Sequence, residues 1–265
     1  LVRIRPILYL HLLRTWRYKY SFINSTLNIA LWMAIFILGA LVFVPPEQLP
    51  TTAPYIFWGV VLWTLLSSSV WYIGGWMWFF LSLGMIEEHM IHNMRVMPVL
   101  IGRIITVTVQ LALVTPVMYV IVSYATGGSI PLIHNPVILA YALVSMIIMS
   151  ISYGLILAAI SIRTGVPGAL LDISNFLLFI MGGIAVPVTN LPDILKKFAM
   201  FVPYSHPSEL VRYAAAGITP YLPLWIELTV SGIVAAAMLI ATYLIFRYIE
   251  DHYLRIQGPR AIGRM

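Results

Sequence analysis

Residues 53–83 read APYIFWGVVLWTLLSSSVWYIGGWMWFFLSL, thirty-one residues without one charged side chain. About 20 apolar residues in a helix cross the ~30 Å hydrocarbon core of a bilayer. This stretch therefore spans with length to spare, and its Gly74-Gly75 pair predicts a kink or the close approach of a second helix. Working outward, further apolar runs predict spans at 22–44 (stopped by Pro45-Pro46), 99–124, 136–162, 167–186 and 222–246. The fold class expected is all-α integral membrane, a single domain with six transmembrane helices.

Composition agrees. Hydrophobic residues make up 61% of the 265 and charged residues 9%, against roughly 45–50% and 25% in soluble domains. Mean hydropathy is +0.95. The chain has no cysteine, which excludes a disulfide framework, an iron–sulfur cluster and thiolate zinc sites. No cleavable leader is expected, because a basic aromatic segment stands where a short apolar core would be.

Residues 1–20 carry Arg3, Arg5, Arg14, Arg17 and Lys19 among apolar residues. Leu8, Leu12, Leu13, Trp16 and Tyr20 fall on one helical face, and His11, Arg14 and Arg17 on another. This predicts an amphipathic helix in the interface, its arginines toward anionic headgroups or a cytosolic partner. Basic residues test the topology. With the N-terminus inside, Arg3, Arg5, Arg14, Arg17, Lys19, Arg95, Arg103, Arg163, Arg247, Arg255, Arg260 and Arg264 are cytoplasmic, and only Lys196, Lys197 and Arg212 are outside. Twelve against three obeys the positive-inside rule, so the net charge of +6 reports orientation rather than nucleic-acid binding.

Phosphate cradling by a P-loop needs Gly-Lys-Ser/Thr. The only lysines are Lys19, Lys196 and Lys197, none preceded by glycine. Any ATP-driven work is therefore done by another polypeptide. The 84–98 loop holds Glu87, Glu88, His89, Met90, His92, Asn93 and Arg95. Zincin chemistry needs H-E-x-x-H, whereas here the histidines are at i and i+3 and both glutamates precede them. Three readings stand: a metal or protease site, a solvated cytosolic turn, and a short amphipathic helix that docks into another protein's groove.

The 187–221 segment is too polar and too proline-broken to span, and predicts two short helices, 192–201 and 205–216, capping the outer leaflet. In it Glu209 and Arg212 are at i and i+3, spaced to pair. Asp172 and Asn175 share that spacing in the fifth span. An intramembrane aspartate marks either a structural partner or a substrate contact. The aromatics Trp58, Trp63, Trp71, Tyr72, Trp76 and Trp78 read as interfacial anchors or packing, and any of them can line an apolar path.

Together these pieces resemble the membrane subunit of type-2 ABC exporters over essentially the whole chain. In that family span five ends in a Gly-Gly stretch, an aliphatic-Pro step and a Leu-Pro; here these are Gly182-Gly183-Ile184-Ala185-Val186-Pro187 and Leu191-Pro192. Pro203, His206 and Arg212 follow at the family's spacing, although Tyr204 stands where the family has an aliphatic residue. The run from Met97 to Arg103 is similar to the family's segment after its coupling helix.

The resemblance implies a permease in the plasma membrane, both termini cytoplasmic, paired with an identical or paralogous permease. The pair sits among membrane lipids on two ATP-binding subunits, which hold the ATP and Mg. The chain itself is then no enzyme and binds no cofactor. Glu87 to Asn93 becomes the coupling helix, with Arg95, Arg14 and Arg17 near the same partner. Pro187, Pro203, His206, Glu209 and Arg212 belong to the extracellular gate helices. Cargo, of lipid, polysaccharide, drug or peptide class, passes spans one, two and five, with Asp172 and Asn175 on its path. An ion-coupled secondary transporter and an intramembrane enzyme are the competing classes.

Overall fold

The computed structural model describes residues 4–254 except 43, 93, 128–129, 131–132 and 166–167. The expectations placed on Arg3, Asn93, Pro167, Arg255, Arg260 and Arg264 lie outside these residues. Regular structure is helical throughout the described residues. Five helical stretches are long and apolar enough to cross a membrane: Lys19–Gly39, Pro46–Ser82, Val96–Thr126, Pro136–Thr164 and Leu224–His252.

Helix α1 (Ile4–Arg17) runs almost directly into α2 (Lys19–Leu41), joined through Tyr18, whose N–H donates to Arg14 O at 3.0 Å. The run quoted first folds as α3 (Leu49–Ser69), a π-helical turn Val70–Gly74, and α4 (Trp76–Ser82). The close approach expected at its glycine pair occurs, beside a local change in the helix. The helix changes gauge there, with Gly75 N–H donating to Val70 O at 2.8 Å. A Cβ at Gly74 would lie 3.2 Å from Gly154 O, and one at Gly154 would lie 2.6 Å from Ser69 O. Two backbones meet at this crossing, the close contact by which helices associate in lipid.

α5 (Met85–Ile91) and α6 (Val96–Ile101) form the loop at one end, and α7 (Ile104–Thr126) returns. α8 (Pro136–Thr164) opens on Asn135, whose side chain accepts the Ile138 N–H at 3.1 Å, an N-cap that satisfies an orphan donor. The expected fifth span ends early: α9 is Gly168–Met181, about 21 Å long at 1.5 Å per residue. Its stop lies in Gly182-Gly183, where Gly183 takes φ +64, a conformation nearly reserved for glycine. α10 (Asp193–Ala199) and α11 (Ser205–Ala216) follow, then α12 (Leu224–Tyr248), extended by a π-helical turn Ile249–Leu254.

α3 packs between α7 and α8, α12 lies along α8, α2 along α7, and α11 crosses α8, α12 and α3. Large side chains face outward along whole helices: Leu27, Leu31, Ile35 and Leu38 on α2, Ile173, Phe176, Leu177 and Ile180 on α9. An apolar exterior on this scale is wrong for water and right for lipid or a partner helix.

Candidate functional site

Two sets of polar groups stand out, one at each end of the bundle. At one end α11 is buried along nearly its whole length. Glu209 accepts the N–H groups of Val188 at 2.9 Å and Tyr221 at 3.2 Å. Arg212 lies 3.7 Å from Glu209, both side chains 1–2% exposed. It donates to the carbonyls of Gly183 and Ile184. Ser208 donates to Gly182 O at 2.9 Å. His206 Nδ1 sits 2.7 Å from Glu227 Oε2 and its Nε2 3.2 Å from Met200 O. Glu227 in turn accepts the Leu222 N–H at 3.3 Å.

Burial raises the Glu209 carboxyl above its ordinary value, against the pull of Val188 and Arg212. Burial likewise lowers the Arg212 guanidinium to about 10, with Glu209 opposing. The glutamate–arginine spacing legible at i,i+3 is thus a buried ion pair. Pro187 begins the turn Val188–Asn190, and Pro203 leads into α11. This network ties the glycine turn after α9, the loop 218–223 and the first turn of α12 to one short helix. Hydrogen bonds that join several elements in this way restrain them relative to one another, although the buried Arg212 Nε has no partner among the described residues.

At the opposite end α5 is mounted by its buried face. Ile86 joins a cluster with Phe80, Val96, Leu100, Phe246 and Leu254, and the His89 ring stacks on Phe80 at 5.6 Å. Glu88, Ile91 and His92 face outward, Ile91 at 81% exposure. Glu87 and Met90 are half-buried. Arg95 bonds to Asp251 at 3.5 Å, so it is tied to the turn that extends α12. Among the described residues no three of His, Asp and Glu gather to hold a metal ion.

α1 lies against this end by the face that carries His11, which the sequence pattern points toward headgroups or a partner. His11 is buried, its Nε2 3.1 Å from Val99 O, whereas Leu12, Leu13, Trp16 and Tyr20 are at least half exposed. Arg14 reaches over the Trp76 ring at 4.6 Å, and Arg17 is exposed. The apolar face looks outward because the bundle already offers His11 a carbonyl acceptor.

Between the ends, α2, α3 and α9 form a groove. One part, about 310 Å³, is lined by residues including Met33, Gly59, Trp63, Phe176 and Val186. A second, about 470 Å³, shares Met33, Trp63 and Phe176 and adds Ser67 and Trp71. Trp63 packs on Phe179 at 4.9 Å. Asp172 and Asn175 part company here. Asn175 is buried and donates to Ser67 Oγ at 3.3 Å, whereas Asp172 is exposed. Sequence reasoning missed Glu250, and also the chain Ser25–Tyr72–Gln110–Thr26 linked at 2.9, 3.2 and 3.1 Å. Gln110, a lone amide in an apolar run, was the available signal for the second.

No protein-family model matches the chain, and no curated protein matches it.

Proposed function

We propose that this chain is the membrane subunit of an ATP-driven exporter of the type-2 ABC class, crossing the plasma membrane six times with both termini in the cytoplasm. α9 and the turn that follows it make the fifth crossing, completed at the outer face by the α11 network. The cargo moves outward between two such subunits, identical or paralogous, while two separate subunits bind Mg and hydrolyse ATP.

The observation that carries this reading is the mounting of α5. A seven-residue helix is anchored by Ile86 and His89 and offers Glu88, Ile91 and His92 outward from the end that holds most of the arginines. An exposed isoleucine beside a carboxylate on a rigid base is what a groove on a partner protein recognises. Force applied to α5 passes through Phe80 and α4 into α3, and rigid-body rocking of packed helices follows. The groove between α2, α3 and α9 lies where a cargo path is wanted, and its aromatic and aliphatic lining favours cargo with an apolar portion.

Purification of the tagged chain from its native membrane tests the proposal, with bound proteins identified by mass. A stoichiometric P-loop ATPase, lost in Glu88→Arg/Ile91→Asp, supports exporter and coupling helix together. Copurification that survives the double variant moves the contact away from α5. A chain that is stable and carries no ATPase defeats the exporter reading.

A further inference from the structure

A pocket of about 300 Å³ lies between the α1–α2 elbow and the start of α7, lined by Arg14, Tyr18, Ser21, Ser25, Tyr72 and Arg103 among others. Arg103 is 4% exposed. Its Nε donates to Tyr72 O, and its guanidinium lies 3.7 Å from the Trp76 ring centroid. Arg14 approaches the same ring. Two guanidinium groups thus share one indole. Among the described residues, the ion pairs involve Arg95, Lys196, His206, Arg212 and Arg247, and neither Arg14 nor Arg103. A buried cation with no counter-charge is strongly unfavourable, and a like charge beside it adds to the cost. Contact with the Trp76 face offsets part of this. An anion in the pocket offsets the rest, and the planar fork of arginine suits phosphate oxygens.

The pocket adjoins an apolar groove of about 570 Å³, with Thr15 and Phe22 lining both. Leu12, Leu13, Trp16, Ile23, Val109 and Leu113 line the groove. A cationic pocket continuous with an apolar groove has the polarity of an amphiphile. The geometry points to a bound anionic phospholipid, its headgroup phosphate between Arg14 and Arg103 and an acyl chain along Leu13, Trp16 and Val109. The lipid joins α1 to α7 and so fixes the elbow from which α2 rises. This inference rests on the membrane placement of α1 proposed above, and needs neither the ATPase nor a cargo.

The test is native mass spectrometry of the chain released from nanodiscs of phosphatidylcholine containing a minor fraction of phosphatidylglycerol. Wild type is expected to retain one phosphatidylglycerol in preference to phosphatidylcholine. Arg14→Gln, a change at an exposed position, weakens retention about tenfold, the worth of a charge-assisted hydrogen bond. Arg17→Gln removes the same charge outside the pocket and retains the lipid. Val109→Trp, which fills the groove, releases it with both arginines in place. Equal loss in Arg14→Gln and Arg17→Gln would show diffuse attraction and overturn the site. Equal retention of the two lipids would overturn the phosphate preference. Displacement by millimolar inorganic phosphate, with Val109→Trp unaffected, would make it a free-anion site and overturn the lipid. Any of these leaves the exporter reading untouched, because the pull-down tests that separately.

Discussion

Glu250 and Val96 stand 154 residues apart in the chain, and the Glu250 carboxylate accepts the Val96 N–H at 2.7 Å. The same oxygen takes the Met97 N–H at 2.9 Å. α6 has no side-chain cap of its own, so the far end of α12 supplies it. Arg247 and Arg95 both reach Asp251, at 3.4 and 3.5 Å, and brace the same junction. Glu250→Ala leaves two donors without their acceptor and is expected to destabilise the loop by about 1–3 kcal/mol. Hydrogen exchange checks it: the amides of Val96 and Met97 should exchange faster while those of α8 keep their protection. Unchanged exchange at α6 would mean that the cap contributes nothing.

The α11 network makes an ordered set of stability predictions. Arg212→Leu leaves Glu209 buried without its partner and should cost about 3–5 kcal/mol. Glu209→Leu/Arg212→Leu together should cost less than Arg212→Leu alone, since no lone charge remains. Denaturant unfolding in detergent reads both variants against wild type. A double variant that is the worse of the two would show that the bonds to Gly183, Ile184, Val188 and Tyr221 outweigh the ion pair.

Docking of α1 should depend on pH through His11. Burial, with the Arg103 and Arg14 charges, lowers its pKa below 6.5, while the Val99 carbonyl opposes. The folded state binds the proton less tightly than the unfolded state. Its contribution is therefore complete above pH 6.5 and is lost as pH falls from there through the lowered folded value. A spin-label pair bridging α1 and α6 should lengthen on acidification from pH 7.5 to pH 5 as an expected trend. His11→Asn should flatten that response. A distance that does not move with pH would remove His11 as the cause.

Gly154 should tolerate no side chain. Its added Cβ meets backbone, Ser69 O at 2.6 Å, and backbone cannot rotate aside. Gly154→Ala should cost about 1–3 kcal/mol by overpacking. Gly39, whose Cβ would meet nothing within 4 Å, serves as control: Gly39→Ala should leave the melting temperature unchanged or raised.

Orientation can be read with single cysteines, because the chain has none of its own. Glu88→Cys should react with an impermeant maleimide only after the membrane is opened, and Asn190→Cys in intact cells. The reverse pattern would invert the proposed topology. Reaction of both from one side would fit an even number of crossings between them.

Several elements were legible because their causes are local. Asn135 before Pro136 and Gly165 after Thr164 bracket α8, expected over 136–162 and found as Pro136–Thr164. α11 was expected over 205–216 and is Ser205–Ala216. In both, caps and turn residues stand at the ends, and a helix is decided by hydrogen bonds four residues apart. α9 is shorter than hydropathy predicts, since an apolar run continues past Met181 and hydropathy does not weigh a glycine's φ.

The sequence by itself determined that the chain is helical and holds runs long and apolar enough to cross a membrane, because apolar length and the absence of charge are properties of consecutive residues. It also determined that Glu209 and Arg212 can pair, one turn apart on the same helix. Tertiary structure alone decided that Glu250 caps α6, that His11 turns inward, that Asn175 packs on Ser67 while Asp172 does not, and that Arg14 and Arg103 converge on Trp76. Each of these joins residues from separate helices. Which faces meet depends on the packing of all the helices at once, and in lipid that packing is chosen by close contact and polar satisfaction rather than by hydrophobicity.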